Sequence, residues 1–258
     1  MSSSDDKFYQ ARITHRREIA SDLWAIRLDP GGPFQFTAGQ YATLGVRTPE
    51  KHIERAYSIV SSPYEKELEI FIELVPQGEL TPLLYPLQTG AEMTMRKIPK
   101  GRFTLDIKSG LKNHLLVSTV TGVAPFVSYV RTLYKDWKEN RLTAEIHLYS
   151  INAASRSYEY GYREELERMA AEVPWFTYVS TISRPWEDAS WHGETGRAED
   201  ILRKYADQWG CTPANTAAYL CGHPQMIEHC KGILQRRGFD KKLVKEEVYF
   251  IPAKEPHS

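Results

Sequence analysis

The sequence predicts two domains of different class, an antiparallel β domain followed by a parallel α/β domain. Up to about residue 109, short apolar or alternating runs separated by Gly/Pro breaks indicate strands with little helix. From residue 110 onward, strand patterns alternate with segments of helical spacing, which is typical of a parallel sheet. The predicted domains are therefore 1–109 and 110–258, with the boundary near Asp106–Lys112.

The first domain contains four segments with the pattern of strands and one segment, Leu80–Leu87, with that of a helix. Many short strands with so little helix favour an antiparallel barrel or a sandwich. The strand segments are Trp24–Leu28, Gln40–Val46, Glu67–Val75 and Met93–Ile98.

The second domain is predicted to contain five parallel strands connected by helices. The strands are His114–Ser118, Ala144–Ser150, Phe176–Ile182, Ala217–Cys221 and Val248–Phe250. The helices are a segment opened by Pro125 that runs to Trp137, then Glu159–Ala171, Ala198–Gln208 and Pro224–Arg236. Ligands of such sheets bind beyond the carboxyl ends of the strands, where helices begin. Three segments fall there: Ser118–Phe126, Ser150–Ser157 and Cys221–Met226.

Composition excludes several classes of function. Thirty-three basic residues balance thirty-three acidic ones, which gives no argument for binding nucleic acid or a membrane. No run approaches the roughly eighteen apolar residues of a membrane span, and residues 1–7 lack the apolar core of a signal peptide. The three cysteines, Cys211, Cys221 and Cys230, are odd in number and never two residues apart, which argues against zinc, disulfides or an iron–sulfur cluster. We therefore expect a cytoplasmic protein without a metal.

Two short motifs in the first domain are suited to holding a phosphate and a flat ring. Arg55-Ala56-Tyr57-Ser58 offers a cation, an aromatic face and a hydroxyl on one strand. Gly78-Glu79-Leu80-Thr81-Pro82 places a glycine turn and a hydroxyl at the start of a helix, where backbone N–H groups could bind a phosphate. An ordinary edge strand remains an alternative for the tetrapeptide taken alone.

With further motifs in the same order, these segments resemble the ferredoxin–NADP⁺ reductase family, in its bacterial flavodoxin/ferredoxin type. The resemblance implies an FAD-binding antiparallel barrel, an NADP(H)-binding α/β domain and an active site in the cleft between them. The other matching motifs are Phe36–Tyr41, Lys100–Leu105 (similar to the strand that closes the family's barrel), Ser118–Phe126, Cys221–Met226 and Glu247–Phe250.

The resemblance implies a role for each residue of the first two motifs. Arg55 would neutralise the FAD pyrophosphate, Tyr57 beside Ala56 would lie along one face of the isoalloxazine, and Ser58 would hydrogen-bond flavin N5. Further contacts to the phosphates or the ribityl chain would come from Glu79, Leu80 and Thr81.

NADP(H) is expected at the segments of the second domain. The preference for NADPH depends on Arg156 and Arg184, which match arginines that bind the 2′-phosphate in bacterial relatives, with Arg197 as a third candidate. The stretch Ser150–Ser157 has no acidic residue of the kind that holds the ribose hydroxyls in NADH enzymes. The remaining predicted nucleotide ligands are Thr121 (also toward FAD), Gly122, Thr195, Cys221 and Gln225.

The sequence departs from the family pattern at the nucleotide loop and at the C-terminus. Val120 fills the first position of a Gly-Thr-Gly motif, where a Cβ disfavours positive φ. Glu247 rather than Glu246 matches the carboxylate that carries protons toward N5, and Cys221 matches a cysteine beside the nicotinamide, although a packing role for it remains open. Either Tyr249 or Phe250 would cover the second flavin face, and residues 251–258 extend beyond both.

These motifs predict an enzyme that moves electrons between NADPH and a one-electron carrier, ferredoxin and/or flavodoxin, as a monomer or a weak dimer. The reductase component of an oxygenase shares every motif and remains an alternative. A flavin-binding sensor without turnover is a third possibility. The presence of Ser58, Cys221 and Glu247 argues against it.

Overall fold

The computed structural model describes residues 7–249 and divides them into two compact units. The first unit comprises the chain up to Asp106 together with Ala124–Thr143 and Tyr158–Tyr162. The second comprises Ile107–Val123, Ala144–Ser157 and the chain from Arg163 onward. The division into 1–109 and 110–258 stays a prediction.

A six-stranded antiparallel sheet forms the first unit, in the order β4-β3-β6-β1-β2-β5. The two outer strands meet at the antiparallel bridge between Ile59 and Ile70, which closes the sheet into the expected barrel. Inside it pack side chains such as Trp24, Leu44 and Met95, each fully buried. The strands are β1 (Phe8–Ala20), β2 (Leu23–Asp29), β3 (Tyr41–Arg47), β4 (His52–Ser58), β5 (Leu68–Glu73) and β6 (Glu92–Arg96).

Three details of this unit differ from the sequence predictions. The thirteen-residue strand β1 was not among the predicted strands. The strand expected at Lys100–Leu105 does not form: Lys100 makes one bridge to Tyr41, and Gly101 then turns the backbone away at φ 109°. The predicted helix at Leu80–Leu87 is shorter, since α1 spans Thr81–Leu84.

Helix α2 (Ala124–Lys138) groups with the barrel and is attached to it by polar side chains. The hydroxyl of Ser128 donates to the carbonyl of Ser61 at 2.7 Å. The buried Glu69 of β5 accepts from Arg131 at 2.8 Å and from the Tyr162 hydroxyl at 2.9 Å. A buried carboxylate needs such partners because desolvation disfavours its charge.

The second unit is a parallel sheet of six strands rather than the predicted five, in the order β10-β9-β8-β7-β11-β12. The additional strand is the two-residue β10. The last strand ends at Val248, so the prediction of Val248–Phe250 was misplaced. The strands are β7 (Asn113–Thr119), β8 (His147–Ala154), β9 (Phe176–Ile182), β10 (Glu194–Thr195), β11 (Thr216–Gly222) and β12 (Val244–Val248).

Three helices belong to this unit, of which α4 and α5 cover a core of apolar strand residues such as Val117, Ile151 and Leu220. Helix α3 starts at Arg163 rather than at the predicted Glu159: Ser157–Glu159 form a separate 3₁₀ turn, and residues 158–162 group with the barrel. The three helices are α3 (Arg163–Glu172), α4 (Ala198–Gln208) and α5 (Pro224–Arg236). Among residues 7–249, no helix has the length and apolar character needed to cross a membrane.

Candidate functional site

The barrel places the guanidinium of Arg55, on β4, against an acidic side chain. Arg55 Nη2 lies 2.6 Å from Glu79 Oε2, and Lys51 Nζ donates to the other carboxylate oxygen of Glu79. Hydrogen bonds from Lys51 and from Arg55 lower the pKa of Glu79 below its usual value. Two half-exposed cations thus share one anion, which is a donor set that also suits a phosphate. Lys51 was missed by the sequence analysis, since nothing in the sequence marks a loop lysine as a partner of Arg55.

The ring and the hydroxyl that follow Arg55 are less accessible. Ser58 is 5% exposed, and Tyr57 is partly buried, whereas Ala56 is exposed. Burial raises the pKa of the Tyr57 phenol, against an opposing effect of the Arg55 charge, so the ring stays neutral. A neutral, flat and partly covered ring is suited to stacking on another flat ring.

The Gly78–Thr81 segment forms a tight turn at the start of α1. The Thr81 hydroxyl accepts from Val75 N at 2.9 Å and donates to Val75 O at 3.1 Å, so it holds the turn together. Leu80 is buried in the barrel core. Only its backbone is therefore available to a ligand, as the resemblance implies.

In the second unit, the nucleotide loop after β7 packs directly on the end of β11. A Cβ on Gly122 would come within 2.8 Å of Gly222 Cα, and a Cβ on Gly222 would come within 2.9 Å of Thr119 O. The Thr119 hydroxyl accepts from His223 N at 2.8 Å, a contact the sequence analysis missed. The two glycines thus let the loop and the strand end approach closely, while Thr121 remains partly exposed.

Val120 adopts a backbone conformation that β-branched residues rarely occupy. Its φ is 42°, in the left-handed region, at the position where the family motif has glycine. The loop therefore keeps the path that glycine would allow, despite the Cβ, and stores backbone strain of about 1–3 kcal/mol.

The structure brings together the two arginines predicted to bind a 2′-phosphate. Arg156, after β8, binds one oxygen of Glu187 through Nε, and Arg184, after β9, lies 3.5 Å from the other oxygen. The three side chains are 28%, 46% and 34% exposed, respectively, so a ligand in solution can reach them. Glu187 was not singled out from the sequence.

Three other predicted nucleotide ligands are exposed, and the contacts resolved for them do not connect them to the arginine pair. Thr195 lies in β10, and Gln225 lies in the first turn of α5, where its N–H donates to His223 Nδ1 at 3.2 Å. Arg197 precedes α4, and its backbone N–H donates to Asp200 at 2.8 Å.

Cys221, Glu247 and Tyr249 form one polar group at the carboxyl ends of β11 and β12. Parallel pairing places Glu247 in register with Cys221, and the Tyr249 side chain hydrogen-bonds the Cys221 thiol. Burial raises the pKa of the Cys221 thiol far above its usual value, and the charge of Glu247 raises it further. The thiol is therefore protonated and unsuited to act as a nucleophile. Glu246 instead pairs with Lys231 at 2.9 Å.

The remaining predictions concern metals and the C-terminus. Over residues 7–249, the structure holds no group of three or more His, Cys, Asp or Glu side chains placed to bind a metal. Phe250 and residues 251–258 lie outside the described residues.

Two family models match the chain in the predicted order. Residues 10–105 match the oxidoreductase FAD-binding domain, and residues 116–232 match the oxidoreductase NAD-binding domain. These matches confirm the expectation of an FAD cofactor and a nicotinamide nucleotide as co-substrate.

Several curated relatives carry the name expected from the motifs. The chain is 31% identical over 250 residues to ferredoxin–NADP reductase B of Sorangium cellulosum, covering 93% of this chain and 97% of the relative. It is 27% identical over 240 residues to the ferredoxin–NADP reductase of Pseudomonas aeruginosa, covering 89% and 90% of the two chains. It is also 28% identical to the phenol hydroxylase P5 protein of Acinetobacter pittii over 238 residues, which cover 91% of this chain and 64% of that protein.

Among solved structures, the fold is similar to that of a ferredoxin NADP⁺ reductase from Neisseria gonorrhoeae with bound FAD and NADP. The TM-score is 0.81 at 23% identity, and the match covers 95% of this chain and 99% of that one. This likeness confirms the predicted fold class.

Proposed function

Because the chain belongs to the ferredoxin–NADP reductase family, we propose that it is an FAD-dependent enzyme that moves electrons between NADPH and a one-electron carrier protein, ferredoxin or flavodoxin. Bound FAD would supply the chemistry, taking two electrons from the nicotinamide as hydride and releasing them singly. The observation that carries the choice of NADPH is the convergence of Arg156 and Arg184 on a single anion.

The barrel residues are proposed to hold FAD. Arg55 and Lys51 would exchange the Glu79 carboxylate for the pyrophosphate, since guanidinium and ammonium groups that donate to carboxylate oxygens also donate to phosphate oxygens. Tyr57 would stack on the isoalloxazine, and Ser58, which is almost completely buried, would donate a hydrogen bond to flavin N5.

The residues of the α/β unit are proposed to position the nicotinamide and handle the proton. The protonated Cys221 thiol would provide a neutral, close-packed contact for the nicotinamide, because burial prevents its ionisation. Glu247 is the proposed proton carrier. It is supported by its position in register with Cys221, whereas Glu246 forms an ion pair with Lys231.

The first experiment tests the reaction with the purified, FAD-loaded protein. NADPH oxidation with ferricyanide is expected to turn over steadily, and electron transfer from NADPH to ferredoxin and to flavodoxin is then compared. A protein that binds FAD but does not turn over with ferricyanide would be a flavin-binding sensor instead.

The second experiment tests the nucleotide. Replacing both Arg156 and Arg184 by Ala removes two charge-assisted contacts, so the KM for NADPH is expected to rise by about ten- to a hundredfold. The rate with NADH should hardly change, because NADH has no 2′-phosphate for these side chains to bind. Equal losses with both nucleotides would assign the arginines a structural role.

A second candidate function is the reductase of an oxygenase system, favoured by the similarity to the phenol hydroxylase P5 protein. That protein is longer than the match, which spans 64% of it. The two candidates differ only in the carrier, so reduction of an oxygenase-linked iron–sulfur protein in preference to ferredoxin and flavodoxin would identify the second. A cytoplasmic location stays a prediction.

A further inference from the structure

Glu187 occupies the place between the two arginines in which an anionic ligand would bind. Each carboxylate oxygen faces a different guanidinium, Oε2 that of Arg156 and Oε1 that of Arg184. A phosphate group presents separate oxygens to two arginines in the same way. The carboxylate therefore competes for the same donors that the 2′-phosphate requires.

The backbone around Glu187 holds the carboxylate in this position. Arg184 N donates to Ser155 O at 3.0 Å, which ties the loop after β9 to the loop after β8. Glu187 N then donates to Arg184 O at 3.1 Å across a single turn that Pro185 begins. Because Arg184 and Glu187 are connected by this short turn, the acid stays near the arginine pair at a high effective concentration.

We propose that Glu187 is a specificity-determining residue: an internal counter-ion that a 2′-phosphate must displace, and that limits the preference for NADP(H) over NAD(H). The proposal rests on the proposed function, because it assumes that Arg156 and Arg184 receive the 2′-phosphate. Only the phosphorylated nucleotide needs to displace the carboxylate. Removing its charge therefore strengthens binding of NADP(H) and leaves binding of NAD(H) unchanged.

The neighbouring Asp188 provides a matched control. It lies one residue further along the same loop and carries the same charge, but its carboxylate accepts from the hydroxyls of Ser157 and Ser190, and the arginine charge that acts on it is that of Arg163. Asp188→Asn thus changes the net charge of the loop as Glu187→Gln does, without releasing the arginine pair.

The experiment measures binding of 2′,5′-ADP and of 5′-AMP to the FAD-loaded full chain by titration calorimetry. Glu187→Gln is expected to bind 2′,5′-ADP about three- to fivefold more tightly than the wild type, the upper part of the range for release of a partly exposed ion pair. Affinity for 5′-AMP should stay the same within about twofold, and Asp188→Asn should show less than half of the gain, since it changes only the long-range field. Glu187→Ala, which cannot retain a hydrogen bond, should behave as Glu187→Gln does.

Either of two results with 2′,5′-ADP would overturn the inference: no gain in either Glu187 variant, or an equal gain in Asp188→Asn. A loss of 5′-AMP binding in Glu187→Gln would also overturn it, because the acid would then be a ligand of the ribose hydroxyls. The proposed function is tested separately by wild-type turnover of NADPH with ferricyanide. If the wild type turns over NADPH normally and neither Glu187 variant gains affinity for 2′,5′-ADP, the role of Glu187 is rejected and the proposed function stands.

Discussion

Val120 offers a direct test of how the nucleotide loop is built, because its backbone has φ 42° and its side chain is β-branched. The perturbation is a pair of substitutions, Val120→Ala and Val120→Gly. Both remove the two γ-methyl groups, so the packing of these methyls is lost equally in the two variants. They differ only in the presence of a Cβ at a left-handed position.

The expected difference in stability between the two variants follows from two opposing effects. A Cβ in the left-handed region costs about 1–2 kcal/mol, which glycine avoids. Glycine in turn loses more backbone entropy on folding, which costs about 0.5–1 kcal/mol relative to alanine. Val120→Gly is therefore expected to be more stable than Val120→Ala by about 0.5–1 kcal/mol, or about 1–4 °C in melting temperature.

Thermal unfolding and urea denaturation of both variants provide the measurement. Val123, in the same turn and with an ordinary φ, supplies the control. There the order should be reversed, with Val123→Gly less stable than Val123→Ala by about 0.5–1 kcal/mol. If alanine is the more stable residue at both positions, Val120 is not strained in solution, and the loop takes another path.

Three further predictions concern the flavin, the barrel and the C-terminus. Arg55→Ala should lower FAD affinity about ten- to a hundredfold by loss of a charge-assisted contact, measured by flavin release, and unchanged binding would contradict the role given to Arg55. Burial by itself raises the pKa of Glu69, but the charge of Arg131, together with hydrogen bonds, outweighs it and lowers the pKa. Because the pKa of Glu69 is lower in the folded state, the carboxylate contributes stability above about pH 4.5. This contribution is lost as the pH falls through the folded-state pKa. Glu69→Gln should therefore flatten the acid side of a curve of unfolding free energy against pH. Tyr249→Ser should tighten NADP⁺ binding up to about tenfold if this ring must leave the flavin face, and an unchanged Kd and flavin spectrum would show that it does not cover the flavin.

The elements that the sequence predicted well are those in which apolar residues form a short run or recur with a helical period. Strands β2 and β5 have near-continuous apolar runs, and α4 and α5 were predicted with their observed bounds. Strand β1 was missed because its inward-facing fully buried residues are only Ala11 and Ile13 and most others are polar. Pairing with two neighbours, rather than its own hydrophobicity, keeps β1 in the sheet.

The misplaced last strand has a similar cause. Strand β12 contains Lys245, Glu246 and Glu247 and carries no fully buried residue, because it lies at the sheet edge with one neighbour. The aromatic residues after it gave the stronger strand signal, so the prediction shifted toward them. Edge position is a property of the topology and cannot be derived from a local pattern.

At the site, the sequence singled out Arg55, Glu79, Arg156 and Arg184 but not Lys51, Glu187 or the ion pairs among them. Arg55 with Lys51 holds Glu79, and Arg156 with Arg184 holds Glu187. Each acid comes from a different loop or turn than at least one of its cations, so no motif spacing predicts these pairings. Two cations held close together repel each other, and a carboxylate between them removes that cost in the absence of a ligand. Phosphate binding at either pair is then an exchange of one anion for another. Its free energy is smaller than that of an isolated arginine–phosphate contact by the strength of the contact that is displaced.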